Sequence, residues 1–106
     1  MPRMPIKTGT AHEIAIPPGA LADAGAKEIL RCWIANRGLH VTLDPAFDTP
    51  DAWGMLLVDV ARHAARAFAA QKLCTEAEAL KRIRELFDAE WRRPTDQGST
   101  EPLKKQ

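Results

Sequence analysis

The sequence predicts an α+β fold, a β-hairpin or small antiparallel sheet packed against two antiparallel helices. Three observations predict it. Two short runs of strand-forming residues lie at 29–35 and 39–44, an apolar stripe at helical spacing fills 49–70, and Thr75-Glu76-Ala77-Glu78 is a capping box that opens a second helical stripe.

The first helix carries the clearest signal. Thr49 is the expected N-cap, Pro50 suits the first helical position, and Asp51 complements the helix dipole. Trp53, Leu56, Leu57, Val60, Ala64, Ala67 and Phe68 recur at three- and four-residue steps, which predicts that they are the buried side. Ala61, Ala65 and Ala69 form a row without bulk, along which another backbone can approach closely. The second helix begins at the capping box. It carries Leu80, Ile83, Phe87 and Trp91 as its stripe, and it places Glu78/Arg82, Lys81/Glu85 and Arg84/Asp88 as opposite-charge pairs one turn apart. Pro94 ends it.

The hairpin runs from ILRCWIA (29–35) to LHVTLD (39–44). Alternation sends Leu30, Cys32 and Ile34 to one side and Leu39, Val41 and Leu43 to one side, and a shared apolar face requires an even loop. The expected register pairs Ile34 with Val41 and Cys32 with Leu43 around an Arg37-Gly38 turn or a four-residue loop. Arg31, Trp33, Ala35, His40, Thr42 and Asp44 then occupy the opposite face. The apolar face and the two helical stripes are expected to share one core, with Cys32 inside it and Cys74 the more reactive thiol.

Proline and glycine predict a flexible arm over 1–19, in which HEIAI (12–16) could add as an edge strand. Ala20 to Lys27 is sufficient for a turn or one helical turn. Residues 20–94 are expected to form a single α+β domain and 95–106 a disordered tail.

Composition excludes several classes of function. Over 106 residues, 15 Lys and Arg balance 14 Asp and Glu, so no bulk charge draws the chain to nucleic acid or anionic membrane. No apolar run is long enough to span a bilayer and the first residues lack a leader's apolar segment, which predicts a soluble, cytoplasmic protein. Two cysteines and three histidines show no metal-ligand spacing, and no glycine-rich loop follows a strand, so no metal or cofactor is expected. Asp59 and His63, one turn apart, are the nearest approach to an acid/base pair, but spacing ties no third group to them, and the chain is read as non-enzymatic.

The candidate binding residues are Trp33 and His40 on the hairpin and Arg62, His63 and Arg66 on the first helix: an exposed aromatic for a partner or a stacked base, and a basic helical stripe. A lone hairpin leaves two open edges. The leading expectation is therefore a protein-interaction module that first binds itself as a homodimer, with an unidentified protein as the other candidate partner. A weak nucleic-acid or small-ligand domain using the basic helix face is the alternative.

Glu28 to Ala35 (EILRCWIA), Asp51 to Leu57 (DAWGMLL) with Asp59 to His63 (DVARH), and Ala79 to Trp91 carry a resemblance to a small, mainly alphaproteobacterial domain family of unknown function. The resemblance covers about two-thirds of the chain. It implies no catalytic or binding residue.

Overall fold

The computed structural model of the chain describes residues 11–101. The elements run α1 (Pro18–Leu21), β1 (Leu30–Ala35), β2 (Gly38–Leu43), α2 (Asp51–Ala70) and α3 (Glu76–Arg92), the expected α+β content. The chain divides into two compact units, Met1–Ala46 and Phe47–Gln106.

In the first unit β1 and β2 form a two-stranded antiparallel sheet. Among the described residues HEIAI is not a strand, and the arm meets the hairpin through an ion pair between Glu13 and the Arg31 guanidinium at 3.1 Å. The register pairs Ile34 with Leu39, Cys32 with Val41 and Leu30 with Leu43, two residues away from the one alternation suggested. The reason is the turn. Asn36 (φ 49°) and Arg37 (φ 63°) both adopt left-handed backbone, the pattern of a two-residue type I′ loop, and so Gly38 pairs with Ala35 rather than turning the corner. Asn tolerates that conformation well because its short amide can bond locally. A slip of two residues preserves the faces, so Leu30, Cys32, Ile34, Leu39, Val41 and Leu43 still share one side.

The second unit is a pair of packed helices. Phe47 meets Trp53 edge to face with centroids 6.3 Å apart, fixing the chain's entry into α2. Thr49 is not the cap. Pro50 occupies that position with helical dihedrals (φ −64°, ψ −21°), and no side chain caps the helix start. The proline ring presets the first turn, and the Pro50 carbonyl accepts from Trp53 N–H at 2.9 Å.

The side of α2 that is buried matches expectation in part. The alanine row forms the seam with α3: Ala65 is 0% exposed and Ala79 on α3 is 5% exposed, with Ala61 and Ala69 half-buried. Of the bulkier stripe, Trp53, Leu56 and Ala64 are half-buried as well, while Leu57, Val60 and Phe68 are exposed. Small residues win the seam because they let two helix backbones approach closely, which a row of Leu and Phe would prevent. Arg66 on α2 reaches Glu76 on α3 at 3.7 Å across the turn.

That turn is a Schellman motif. Leu73 N–H donates to the Phe68 carbonyl (3.1 Å) and Lys72 N–H to the Ala69 carbonyl (2.9 Å), with Lys72 left-handed at φ 59°. Three residues on, the capping box forms as the sequence predicts. Thr75 Oγ accepts from Glu78 N–H at 3.1 Å, and Glu78 Oε1 accepts from Thr75 N–H at 3.1 Å. These bonds from Thr75, first its backbone N–H and then its hydroxyl, with Arg82 adding attraction, hold the Glu78 carboxyl below its ordinary pKa. On the outer face Arg84 and Asp88 pair at 3.0 Å.

Lys72 carries a Cβ in a conformation that favours glycine. Lys72→Gly is expected to raise the thermal unfolding midpoint through a gain of roughly 0.5–1 kcal/mol, the relief of left-handed strain less the added chain entropy. A lowered midpoint in a calorimetric scan would contradict this account of the turn.

Candidate protein-interaction surface

The two faces of the hairpin have different fates. On the polar face, Trp33 lies opposite His40 and is half-buried, with the Arg31 guanidinium 5.7 Å from its ring centroid. Arg31 also pairs with Glu28 and Glu13, each at 3.1 Å. Glu28, by hydrogen bond and by charge, holds the guanidinium pKa above its ordinary value, and Glu13 adds to the effect. The Ala35 carbonyl accepts from His40 Nε2 at 3.1 Å, which tethers the imidazole to the strand end. Trp33 and His40 are thus brought together as neighbours, already engaged by residues of their own unit.

The apolar face is the more open one. Ile34 is 88% exposed and Leu39 68%, and Val41, Leu43 and Cys32 are exposed beside them. Cys32 was expected in a core and is instead at the surface, whereas Cys74 in the interhelical turn is half-buried. Alternation correctly put Cys32 among apolar side chains, but a face is a core only when a second layer covers it.

In the helical unit Arg62, His63 and Arg66 are all exposed on α2, with Arg66 drawn toward Glu76. Among the described residues no hydrogen bond or ion pair joins Asp59 to His63, so no acid/base pair is assembled there. Sequence reasoning missed a different feature. Phe87 and Trp91 stack with centroids 5.7 Å apart and planes 16° apart, and Trp91 is 77% exposed. Both were assigned to a buried stripe. The signal that could have distinguished them is Trp91's place in the last turn of α3, just before Arg92, Arg93 and Pro94, where the chain leaves the helix.

Among the described residues no group of three or more His, Cys, Asp or Glu side chains could hold a metal ion. No helix among them is long and apolar enough to cross a membrane. The arrangement is suited to burying apolar surface against another chain, since monomeric proteins seldom expose so many large apolar side chains together.

Comparison with known proteins agrees with the fold. A family model described as a domain of unknown function (DUF5076) matches residues 13–95. A solved structure described as a "putative pyruvate dehydrogenase" from the photosynthetic bacterium Rhodopseudomonas palustrus CGA009 is 44% identical in sequence. It covers 92% of this chain and is itself covered over its full length, with a TM-score of 0.74. No curated protein matches the chain.

The difference between the two thiols is directly measurable. Brief alkylation of the reduced native protein, read by peptide mass spectrometry, is expected to label Cys32 ahead of Cys74 as long as no other chain covers the apolar face of the hairpin. The reverse order would show that another chain covers it.

Proposed function

Because the chain belongs to the DUF5076 family, for which no activity is given, we propose a function from its surface: a non-enzymatic protein-interaction module whose first partner is a second copy of itself. One observation carries the reading. The only buried residues among those described are two alanines, while Ile34, Leu39, Val41, Leu43, Leu57, Val60, Phe68, Phe87 and Trp91 stay exposed. Burial of large apolar side chains is the main favourable term in folding, at about 25 cal/mol per Å². Two buried alanines, with Leu30, Trp53, Leu56, Leu80 and Ile83 only half-buried, supply a small share of it. Ordering the backbone costs about 1–2 kcal/mol per residue, so a chain that leaves much of its apolar surface in water is short of the compensating term. Association supplies what the protomer lacks, by apolar burial or by extension of its sheet, as in obligate homodimers whose protomers have no stable folded state alone.

The similar structure named for pyruvate dehydrogenase suggests a catalytic reading. Against it stands that, among the described residues, no hydrogen bond or ion pair joins Asp59 and His63 to each other or to a third group, since general acid/base chemistry needs its groups within hydrogen-bond reach. The basic residues Arg62, His63 and Arg66 offer the nucleic-acid alternative, whose mark would be binding that weakens steeply with salt.

Light scattering across a concentration series tests the proposal. The expected result is a homodimer whose dissociation, at high dilution, coincides with loss of helical circular dichroism. A cooperatively folded monomer at tens of micromolar would overturn the reading. Pyruvate oxidation is expected to stay at background with the purified chain, and turnover above background would replace the module with an enzyme.

A further inference from the structure

Which surface joins the copies can be argued from the hairpin ladder. This step rests on the self-association proposed above. Asp44 N–H donates to the Ile29 carbonyl at 2.9 Å, so Asp44 directs its backbone groups toward β1. Backbone direction alternates along an antiparallel strand. Thr42, His40 and Gly38 therefore also face β1, whereas Leu43, Val41 and Leu39 present their N–H and C=O groups to the outer edge of β2, on which no further strand pairs among the described residues.

That edge is unprotected. Natural sheets blunt exposed edges with charge, proline or a bulge, and Gly38–Leu43 carries none of these. The β1 edge differs. It carries Arg31, to which Glu28 and the arm residue Glu13 are both bound.

We propose that two copies of the chain join through the outer edges of β2, antiparallel about a two-fold axis at Val41, to form a continuous four-stranded sheet. The edge is complementary to itself in three respects. Val41 meets the partner's Val41 and Leu39 meets the partner's Leu43, so the three outward-facing residues of each copy exchange backbone hydrogen bonds and leave none of those groups orphaned. Residues directly opposite in an antiparallel pair share a face, so Leu39, Val41 and Leu43 of both copies extend one apolar surface, while His40 falls opposite the partner's Thr42 on the polar side. The third respect is charge. The same register sets Gly38 opposite the partner's Asp44, which brings Arg37 in the loop alongside that carboxylate. Arg37 has no ion-pair partner among the described residues, and Asp44, whose Oδ1 accepts from Ala46 N–H at 2.8 Å, has its Oδ2 paired with Lys27 only at 3.4 Å. The two-fold makes this contact twice. The sheet also passes from two strands to four, above the three or more that a sheet with one apolar face needs for stability.

Two variants test the edge, each examined by sedimentation and circular dichroism alongside the wild-type protein. Val41→Pro removes an N–H that points away from β1, so it spares the hairpin ladder. It is expected to weaken dimerisation about 100-fold through the loss of both axial hydrogen bonds. Val41→Cys, placed in a Cys32→Ser, Cys74→Ser background, is expected to give a covalent dimer on mild oxidation, since opposed residues in such a pair lie within disulfide reach. The cross-link decides the matter if Val41→Pro fails to fold. A dimer that persists in Val41→Pro with no cross-link at position 41, or a wild-type dimer that oxidises through Cys32 on β1, would overturn the β2 edge and leave self-association standing. A wild-type protein that is folded and monomeric throughout would overturn both.

Discussion

The close approach of α2 and α3 along an alanine seam is the constraint on which the helical unit depends. Ala65 loses all of its accessible surface there and Ala79 nearly all. A seam of small side chains permits close backbone contact and many weak dispersion contacts, but it removes little apolar area from water. Geometry is gained at the expense of burial. Once alanine occupies the inner side of α2, Leu57, Val60 and Phe68 must face outward, because residues on a helix that do not point to the seam have nowhere else to go. The exposed apolar surface is thus a consequence of how the helices meet.

The hairpin repeats this economy in another form. Its polar face is furnished with internal partners: Arg31 stands over Trp33 and is bound by two carboxylates, and His40 is tied to Ala35. Its apolar face has no comparable cover, with Ile34 and Leu39 the most open of its large side chains. Trp33 is the residue that composition marks as a contact, yet a bulky aromatic beneath a guanidinium is already partly desolvated and has less to gain from a partner. The aliphatic residues on the opposite face have more.

How far the sequence revealed this structure follows from which signals are local. The capping box at Thr75 and Glu78 was legible because both partners lie within one turn and their chemistry permits little else. The even hairpin loop and the composition of each face were legible because side chains alternate with period two. The register was not, since a shift by two residues changes no face; it goes with left-handed backbone at both Asn36 and Arg37, and sequence marks only the first of these as tolerant of it. The alanine row was visible as a route for close approach, but the bulkier stripe beside it was expected to be buried as well. Periodicity identifies the sides of a helix and does not say which of two sides is covered. Of the candidate binding residues, Trp33 and His40 are neighbours through the register, while Arg62, His63 and Arg66 are neighbours only because one helix carries all three.

Cys32 and Trp91 failed expectation for one shared reason. Both were assigned inward on the assumption that an apolar pattern is satisfied within its own chain. A two-stranded sheet and a two-helix pair each have an apolar side that only a further layer can cover, and the layer need not come from the same chain. When it comes from a second copy, folding and assembly become one equilibrium, and the stability of each protomer depends on concentration. An unguarded β2 edge is a liability in a monomer because it invites any other strand. In a two-fold assembly the same edge is closed by its own complement, and the absence of charge along Gly38–Leu43 becomes the condition for a specific pairing.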